Sequence, residues 1–292
     1  MERLVCIITG GNSGLGYHYA QRLIHFNYQI IIASRNKQRG EEAVEEIKKT
    51  SGGKDNIEFM SLDLSDKDSI YKFSDQFKSK YKRLDILFNN AGAYYRNDAE
   101  VNNEGIDLTL SCNHYGHFLL THLLSDLLKD TKNSRIVNTS SSLHTKVTDD
   151  QDLLDLNPTQ HGVPSSFIYP MSKRLSLLTY TYLKNNVLKD DIQLINLCPG
   201  FVPNTNLAKD VNFITKFILN KIFPLFPFAS TMEQGVNRML ISSTSNLLPL
   251  GPPPNENSTL FYSKEKFDWV EFNSDKIKEA YEHSLKIVGL EK

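Results

Sequence analysis

The chain has little of what marks a disulfide-stapled, metal-binding, membrane-spanning or nucleic-acid-binding protein. Its 292 residues hold three cysteines, Cys6, Cys112 and Cys198, far apart and without a Cys-x-x-Cys pair. Neither a disulfide framework nor a zinc site is expected, and the three read as reduced, buried thiols of an intracellular protein. Charge of one sign is also lacking: 33 Lys and Arg stand against 34 Asp and Glu, a formal net charge of −1. That balance gives no support for nucleic-acid binding or for an acidic partner. Long hydrophobic runs are missing too, because the richest stretch, Val211 to Ala229, is interrupted by Lys216, Lys221, Pro224 and Pro227. It is too broken to span a bilayer and suits a substrate-covering or interfacial helix, the natural place for peripheral membrane contact. No secretory signal is read at Met1-Glu2-Arg3, which runs straight into Leu4-Val5-Cys6-Ile7-Ile8. No internal repeat, low-complexity tract or Gly/Ser linker divides the chain. The expected setting is cytoplasmic.

What is present is ordinary in composition, 40% hydrophobic and 23% charged, and long enough to bury a sizeable core. Short apolar runs alternate with longer helical patterns. Strands are expected at Leu4–Thr9, Gln29–Ala33, Ile57–Ser61, Asp85–Phe88, Arg135–Thr139 and Ile192–Leu197. Helices are expected at Tyr17–Asn27, Lys37–Lys49, Lys67–Tyr81, Gly105–Lys129 and Pro170–Asn186. Alternation of this kind implies crossover units and an α/β fold whose parallel sheet is covered on both faces. Two stretches break the pattern, Leu143–Ile168 and Asn204 to about Thr231. Both follow strand ends, where open α/β sheets bind ligands, and both read as substrate-shaping loops.

Three features carry chemistry. Thr9-Gly10-Gly11-Asn12-Ser13-Gly14-Leu15-Gly16 lies between a strand and a helix. Glycine there lets backbone approach a phosphate, and the helix N-terminus offers free N–H donors. The second strand ends Ile32-Ala33-Ser34-Arg35-Asn36, with Ser34 where an acid would hold ribose hydroxyls and Arg35 placed to pair with a 2′-phosphate. NADP(H) is therefore expected over NAD(H). Tyr169-Pro170-Met171-Ser172-Lys173 sets a phenol and an ammonium four residues apart, on one face of what is expected to be a helix's first turn. A free tyrosine has a pKa near ~10, and lowering it by about three units takes roughly 4 kcal/mol. Lys173 and an oxidised nicotinamide are the expected cationic sources.

With Asn89-Asn90-Ala91-Gly92 and the serine run after Ile136-Val137, these motifs closely resemble those of the short-chain dehydrogenase/reductase family, over nearly the whole chain. The resemblance implies a single doubly wound Rossmann-type domain across residues 1–292, with a cofactor half at about 1–130 and a catalytic and substrate half at about 131–292. By resemblance, Asp63 holds the adenine amino group with Leu64 beside it, and Asn90, Ala91 and Gly92 bring backbone close to the cofactor. Tyr169 is the acid in carbonyl reduction and the base in alcohol oxidation, while Lys173 also bonds the nicotinamide ribose. Alignment on Asn138 selects Ser141 as the carbonyl-polarising hydroxyl, with Ser140 and Ser142 as alternatives. Ser141 and Tyr169 are 28 positions apart (169 − 141), longer than the family's usual gap, so Leu143–Ile168 must loop out. Asn113 completes the tetrad by holding a water against Lys173. Pro199 and Gly200 form the turn under the nicotinamide, Val202 touches the carboxamide, and Thr205 reaches it or the pyrophosphate. His114, His117 and His122 read as surface or outer-layer histidines, and no metal is expected.

Asn113-His114-Tyr115-Gly116-His117-Phe118, Thr231-Met232-Glu233-Gln234-Gly235 and Ile287-Val288-Gly289-Leu290 resemble the retinol-dehydrogenase and protochlorophyllide-reductase branch. That implies an oxidoreductase acting on a small lipophilic carbonyl or alcohol, with Ile214–Phe228 as an apolar lid. Double-bond reduction of the protochlorophyllide type and a non-enzymatic NADP-binding scaffold are the alternatives. The family also pairs the helices around Asn113 and after Tyr169 across a homodimer interface.

Overall fold

The computed structural model describes residues 2–94, 100–147, 151–188, 191–202, 230–245, 254–264 and 266–291. Among these, eight strands form one sheet: β1 (Leu4–Thr9), β2 (Tyr28–Ser34), β3 (Ile57–Ser61), β4 (Ile86–Asn89), β5 (Arg135–Thr139), β6 (Gln193–Leu197), β7 (Ser258–Ser263) and β8 (Lys266–Glu271). Their order is β3-β2-β1-β4-β5-β6-β7-β8. Pairing is parallel as far as β7, and β8 returns antiparallel. The sheet is thus not wholly parallel. The last strand pairs antiparallel with β7 from Ser263 opposite Lys266, needs no crossover helix, and alternates exposed with partly buried residues over Lys266, Phe267, Asp268 and Trp269.

The helices are α1 (Gly14–Leu23), α2 (Lys37–Thr50), α3 (Lys67–Lys80), α4 (Leu108–Leu110), α5 (Gly116–Leu123), α6 (Ser125–Asp130), α7 (Ser165–Asn186), α8 (Met232–Thr244) and α9 (Ser274–Val288). Alternate residues of β1 face opposite layers. Val5 and Ile7 join Phe73, Phe77, Leu119 and Leu178 on one side, while Cys6 and Ile8 join Tyr19, Leu23, Val44 and Met239 on the other. Each fully buried aliphatic or aromatic side chain contributes roughly 1.5–3 kcal/mol. Burial on both faces explains why the central strands read as continuous apolar runs.

α1 begins at Gly14 and ends at Leu23 rather than spanning Tyr17–Asn27, and two further expected helices differ. Gly105–Lys129 is not one helix: Asp107 caps α4 by accepting the N–H groups of Thr109 and Leu110 at 2.7 and 3.2 Å. A π-turn follows at Ser111–Tyr115, and Leu124 separates α5 from α6. Likewise α7 begins at Ser165 behind Pro164, so Tyr169 lies beyond the first turn and Pro170 stands inside the helix. Pro170 lacks the N–H that would bond the carbonyl four residues back, and packing rather than backbone pairing carries this helix past it. Ile168, Met171, Leu175, Leu177 and Leu178 are all buried.

Between β5 and α7 the long insertion forms short 3-10 turns at Ser142–Lys146, Gln151–Leu154 and Pro158–His161, anchored by buried Val147 and Leu153. Tyr182 stacks on Tyr281 at 4.5 Å, and His122 bonds the Tyr281 hydroxyl at 3.0 Å. The helix surfaces for which the resemblance implies a dimer contact therefore carry α9 of the same chain.

Candidate active site

Strand order reverses between β1 and β4, which opens a crevice at their carboxyl ends. Thr9 closes β1 there. Its hydroxyl oxygen accepts the N–H groups of Asn90 and Ala91, each at 2.9 Å, while the Asn90 amide donates to the Thr9 carbonyl at 2.8 Å. Gly10 turns the chain at φ 66°. A side chain at Gly16 would lie 2.5 Å from Asn90 Nδ2 and 2.7 Å from the Gly10 carbonyl, so α1 rests directly on the turn. Ser13 precedes α1 in an extended conformation and makes no side-chain cap, which leaves its hydroxyl and the first N–H groups of α1 to an anion.

Further along the crevice, Ser34 Oγ at the end of β2 is buried and without a hydrogen-bond partner, and exposed Arg35 follows it. Asp63 accepts from Ser65 N and Oγ at 2.9 and 2.6 Å. Leu64 is buried because Gly116, with no side chain, lets α5 press against its carbonyl. An uncapped helix start, a cradle that any Cβ would fill and a buried hydroxyl lacking a partner fit a dinucleotide.

The other half of the site gathers around Lys173, only 3% exposed. Its Nζ donates to the Thr139 carbonyl at 2.7 Å and sits 5.5 Å from the centre of the Tyr169 ring. Burial brings its pKa down to about 8. The Tyr169 phenol is pushed well above its ordinary range, chiefly by burial and further by the nearby Cys198 thiol, against the lowering effect of its hydrogen bond to Ser141. Burial thus dominates at the phenol, and the depression expected from Lys173 is not present. Ser141 also accepts the Leu143 N–H at 3.2 Å. Ser140 Oγ is buried and unpartnered, and Ser142 opens a 3-10 turn. Of the three serines, Ser141 is the one joined to Tyr169. Tyr94 adds an aromatic edge 6.2 Å from the Tyr169 ring.

Asn113 lies in the π-turn, and its side chain is well occupied. Oδ1 accepts the Ala93 N–H at 2.8 Å, and Nδ2 donates to the Ala93 carbonyl at 2.9 Å and to Ser172 Oγ at 3.1 Å. Its geometry is that of a brace for the segment after Asn90-Ala91-Gly92. Behind Lys173 lies a small polar cavity lined by Asn89, Asn113, His117, Asn138, Ser140 and Asn196, among others. Asn89 donates to Asn138 at 2.9 Å, Asn138 to Asn196 at 3.2 Å, and Asn196 to Thr259 at 2.9 Å. The three amides share one register across β4, β5 and β6, and Asn196 reaches a β7 residue two positions from its strand partner Phe261.

At the far side, Gly200 takes φ 87°, and Arg238 of α8 donates to the Pro199 carbonyl at 2.7 Å and to Ser230 Oγ at 2.8 Å. Gly235 lets α8 close on Leu15 and Val202. Val202 is buried. Thr205, the 211–229 stretch and the proposed lid lie outside the described residues.

His114 and His117 are fully buried rather than superficial, because their helix is sandwiched between the sheet and α9. His114 bridges Ser176 and Ser284 at 3.2 and 2.9 Å, and burial takes both imidazoles down to about 3. The residues that sequence reasoning missed are Thr9, Gly116, His117, Gly235 and Arg238. Thr9, Gly116, His117 and Gly235 stood in recognised motifs, whereas nothing local distinguishes Arg238.

The short chain dehydrogenase family model matches residues 4–149. The WW domain-containing oxidoreductase of Gallus gallus is 30% identical over 82% of this chain, which spans 58% of that protein's length. Retinol dehydrogenase 12 of Mus musculus is 32% identical over 91% of this chain and 79% of its own. Salutaridine reductase from Papaver somniferum superposes with a TM-score of 0.62 at 22% identity, over 86% of this chain and 98% of its own. With its glycine cradle and Tyr169–Lys173 pair in place, the chain belongs to the short-chain dehydrogenase/reductase family of oxidoreductases, in its retinol dehydrogenase-like branch.

Proposed function

We propose that this chain is an NADP(H)-dependent oxidoreductase that interconverts a lipophilic carbonyl compound and its alcohol, acting as one domain. The observation that carries the reading is Tyr169 hydrogen-bonded to Ser141, with the buried Lys173 ammonium 5.5 Å from the centre of its ring. When bound, the nicotinamide supplies or accepts the hydride. Gly10 to Gly16 hold its pyrophosphate, Asp63 and Leu64 its adenine, Asn90 to Gly92 and Pro199 to Val202 the nicotinamide end. Ser34 and Arg35 at the end of β2 favour the 2′-phosphate. Ser141 donates to the substrate oxygen and holds it for Tyr169, which gives up its proton during reduction.

A phenol pushed up by burial keeps its proton at neutral pH, so Tyr169 enters the site protonated. Lys173, held near 8, stays mostly charged at pH 7 and offsets the phenolate formed after transfer. A lipophilic substrate is supported by relatives such as the mouse retinol dehydrogenase and by Tyr94 beside the catalytic ring.

Tyr169→Phe tests the reading. Reduction of a panel of hydrophobic aldehydes and ketones by NADPH should fall by about 10²–10⁴-fold, while NADPH affinity measured by fluorescence titration stays close to wild type. Retained turnover in that variant would sink the assignment.

A further inference from the structure

His117 is 3% exposed, and both of its ring nitrogens are engaged. Nδ1 lies 3.3 Å from the Asn113 carbonyl oxygen, and Nε2 lies 2.8 Å from Thr9 Oγ1. A carbonyl oxygen can only accept, so the network assigns the hydrogen to Nδ1 and leaves Nε2 an acceptor. Thr9 Oγ1 already accepts the N–H groups of Asn90 and Ala91. Its own hydrogen is therefore directed to Nε2, in preference to the Phe88 carbonyl at 3.4 Å. Every donor and acceptor in the bridge has a determined role.

The bridge joins two clamps on one short segment. Thr9 grips Asn90 and Ala91, whereas the Asn113 side chain grips both backbone groups of Ala93. The two clamps lie on different elements, the end of β1 and the π-turn before α5, and His117 ties them together. Lys173 lines the same cavity. We propose that His117 is a positioning residue for hydride transfer, setting the Asn90–Ala93 floor of the cofactor site in register with the π-turn that carries Asn113 and faces Lys173. This rests on the function proposed above. A neutral imidazole suits the task, because a protonated ring would direct a second N–H at a Thr9 oxygen already occupied by two amides.

The test compares His117→Phe, which keeps a ring of similar size and removes both bonds, with His117→Gln, whose amide can still reach Thr9. The readouts are NADPH affinity, the single-turnover hydride-transfer rate at saturating NADPH, and the melting temperature. His117→Phe is expected to weaken NADPH binding about 10-fold and to slow hydride transfer at saturation by at least about 10-fold. His117→Gln should recover a large part of the affinity loss. Thr9→Val also strips the acceptor from the Asn90 and Ala91 N–H groups, so it should be at least as damaging as His117→Phe, and adding His117→Phe to it should cause little further loss. A folded His117→Phe protein with wild-type affinity and hydride-transfer rate overturns the proposal, as does a change confined to melting temperature. Should His117→Phe fail to fold, His117→Met decides by the same two readouts. Wild-type protein that neither binds NADPH nor reduces any carbonyl overturns the function itself, whereas an active wild type with an unaffected variant overturns only the role of His117.

Discussion

Replacing Lys173 by Met should make the protein more alkali-sensitive relative to wild type, and the size of the effect follows from burial. Folding takes the ammonium into the protein interior, where it is 3% exposed and its pKa falls to about 8, against ~10.4 for a free lysine. At ~1.4 kcal/mol per pKa unit, holding this charge costs about 3 kcal/mol at pH 7. Below about pH 8 the folded and unfolded chains both carry the proton, so the whole cost is present. Between about 8 and ~10.4 the unfolded chain binds more protons than the folded one, and wild-type stability rises with pH on account of this group. Above that range the cost is gone. Methionine carries no such cost at any pH, so the stability of Lys173→Met minus that of wild type should decline by about 3 kcal/mol between pH 7 and 10.5. Loss of the bond to the Thr139 carbonyl subtracts about 1–3 kcal/mol from the variant throughout, so the slope carries the test rather than the absolute gap. Urea denaturation of both proteins across that range, followed by circular dichroism, measures it. Groups that do not interact with Lys173 cancel in the difference. Parallel curves would refute the argument that Lys173 is held charged at a desolvation cost.

Other perturbations have equally definite outcomes. Gly200→Ala places a β-carbon at φ 87° against the Ser230 hydroxyl and 2.5 Å from Arg238 Nη1. It should cost roughly 3 kcal/mol in thermal denaturation, and a loss below about 1 kcal/mol would show the turn to be more yielding than its packing implies. Arg35→Ala should weaken NADPH binding about 10–100-fold and leave NADH binding unchanged; equal loss for both cofactors would remove Arg35 from 2′-phosphate recognition. Asn138→Ala strips partners from Asn89 and Asn196 in the interior and should destabilise by about 2–4 kcal/mol in urea. A near-neutral result would mean that the amide ladder is re-satisfied within the cavity.

Much of the cofactor half was legible because its signals are local. The apolar run at Leu4–Thr9, the glycines that follow it and the amphipathic pattern of Lys67–Lys80 each report on a stretch of a few turns. Ser34 and Arg35 follow one another at the end of β2. Elements late in the chain were less legible. The sequence reading placed no element at β7, β8, α8 or α9, although β8 alternates Phe267, Trp269 and their polar neighbours as an edge strand should.

The sequence by itself determined which residue types could do this chemistry and the order in which they arrive: glycines after a first strand, Asn90-Ala91-Gly92 after a fourth, a serine run after a fifth, and Tyr169 four residues before Lys173. Tertiary structure decided their setting. It began α7 at Ser165, with Pro170 inside the helix, because core burial outweighs one missing backbone bond. Ser141 and Tyr169 meet although 28 positions (169 − 141) separate them, and Arg238 reaches the Pro199 carbonyl from 39 positions away. The tyrosine is raised and the lysine lowered by the same desolvation. Burial and contact between distant positions are properties of the packed chain, and no window of sequence contains both partners.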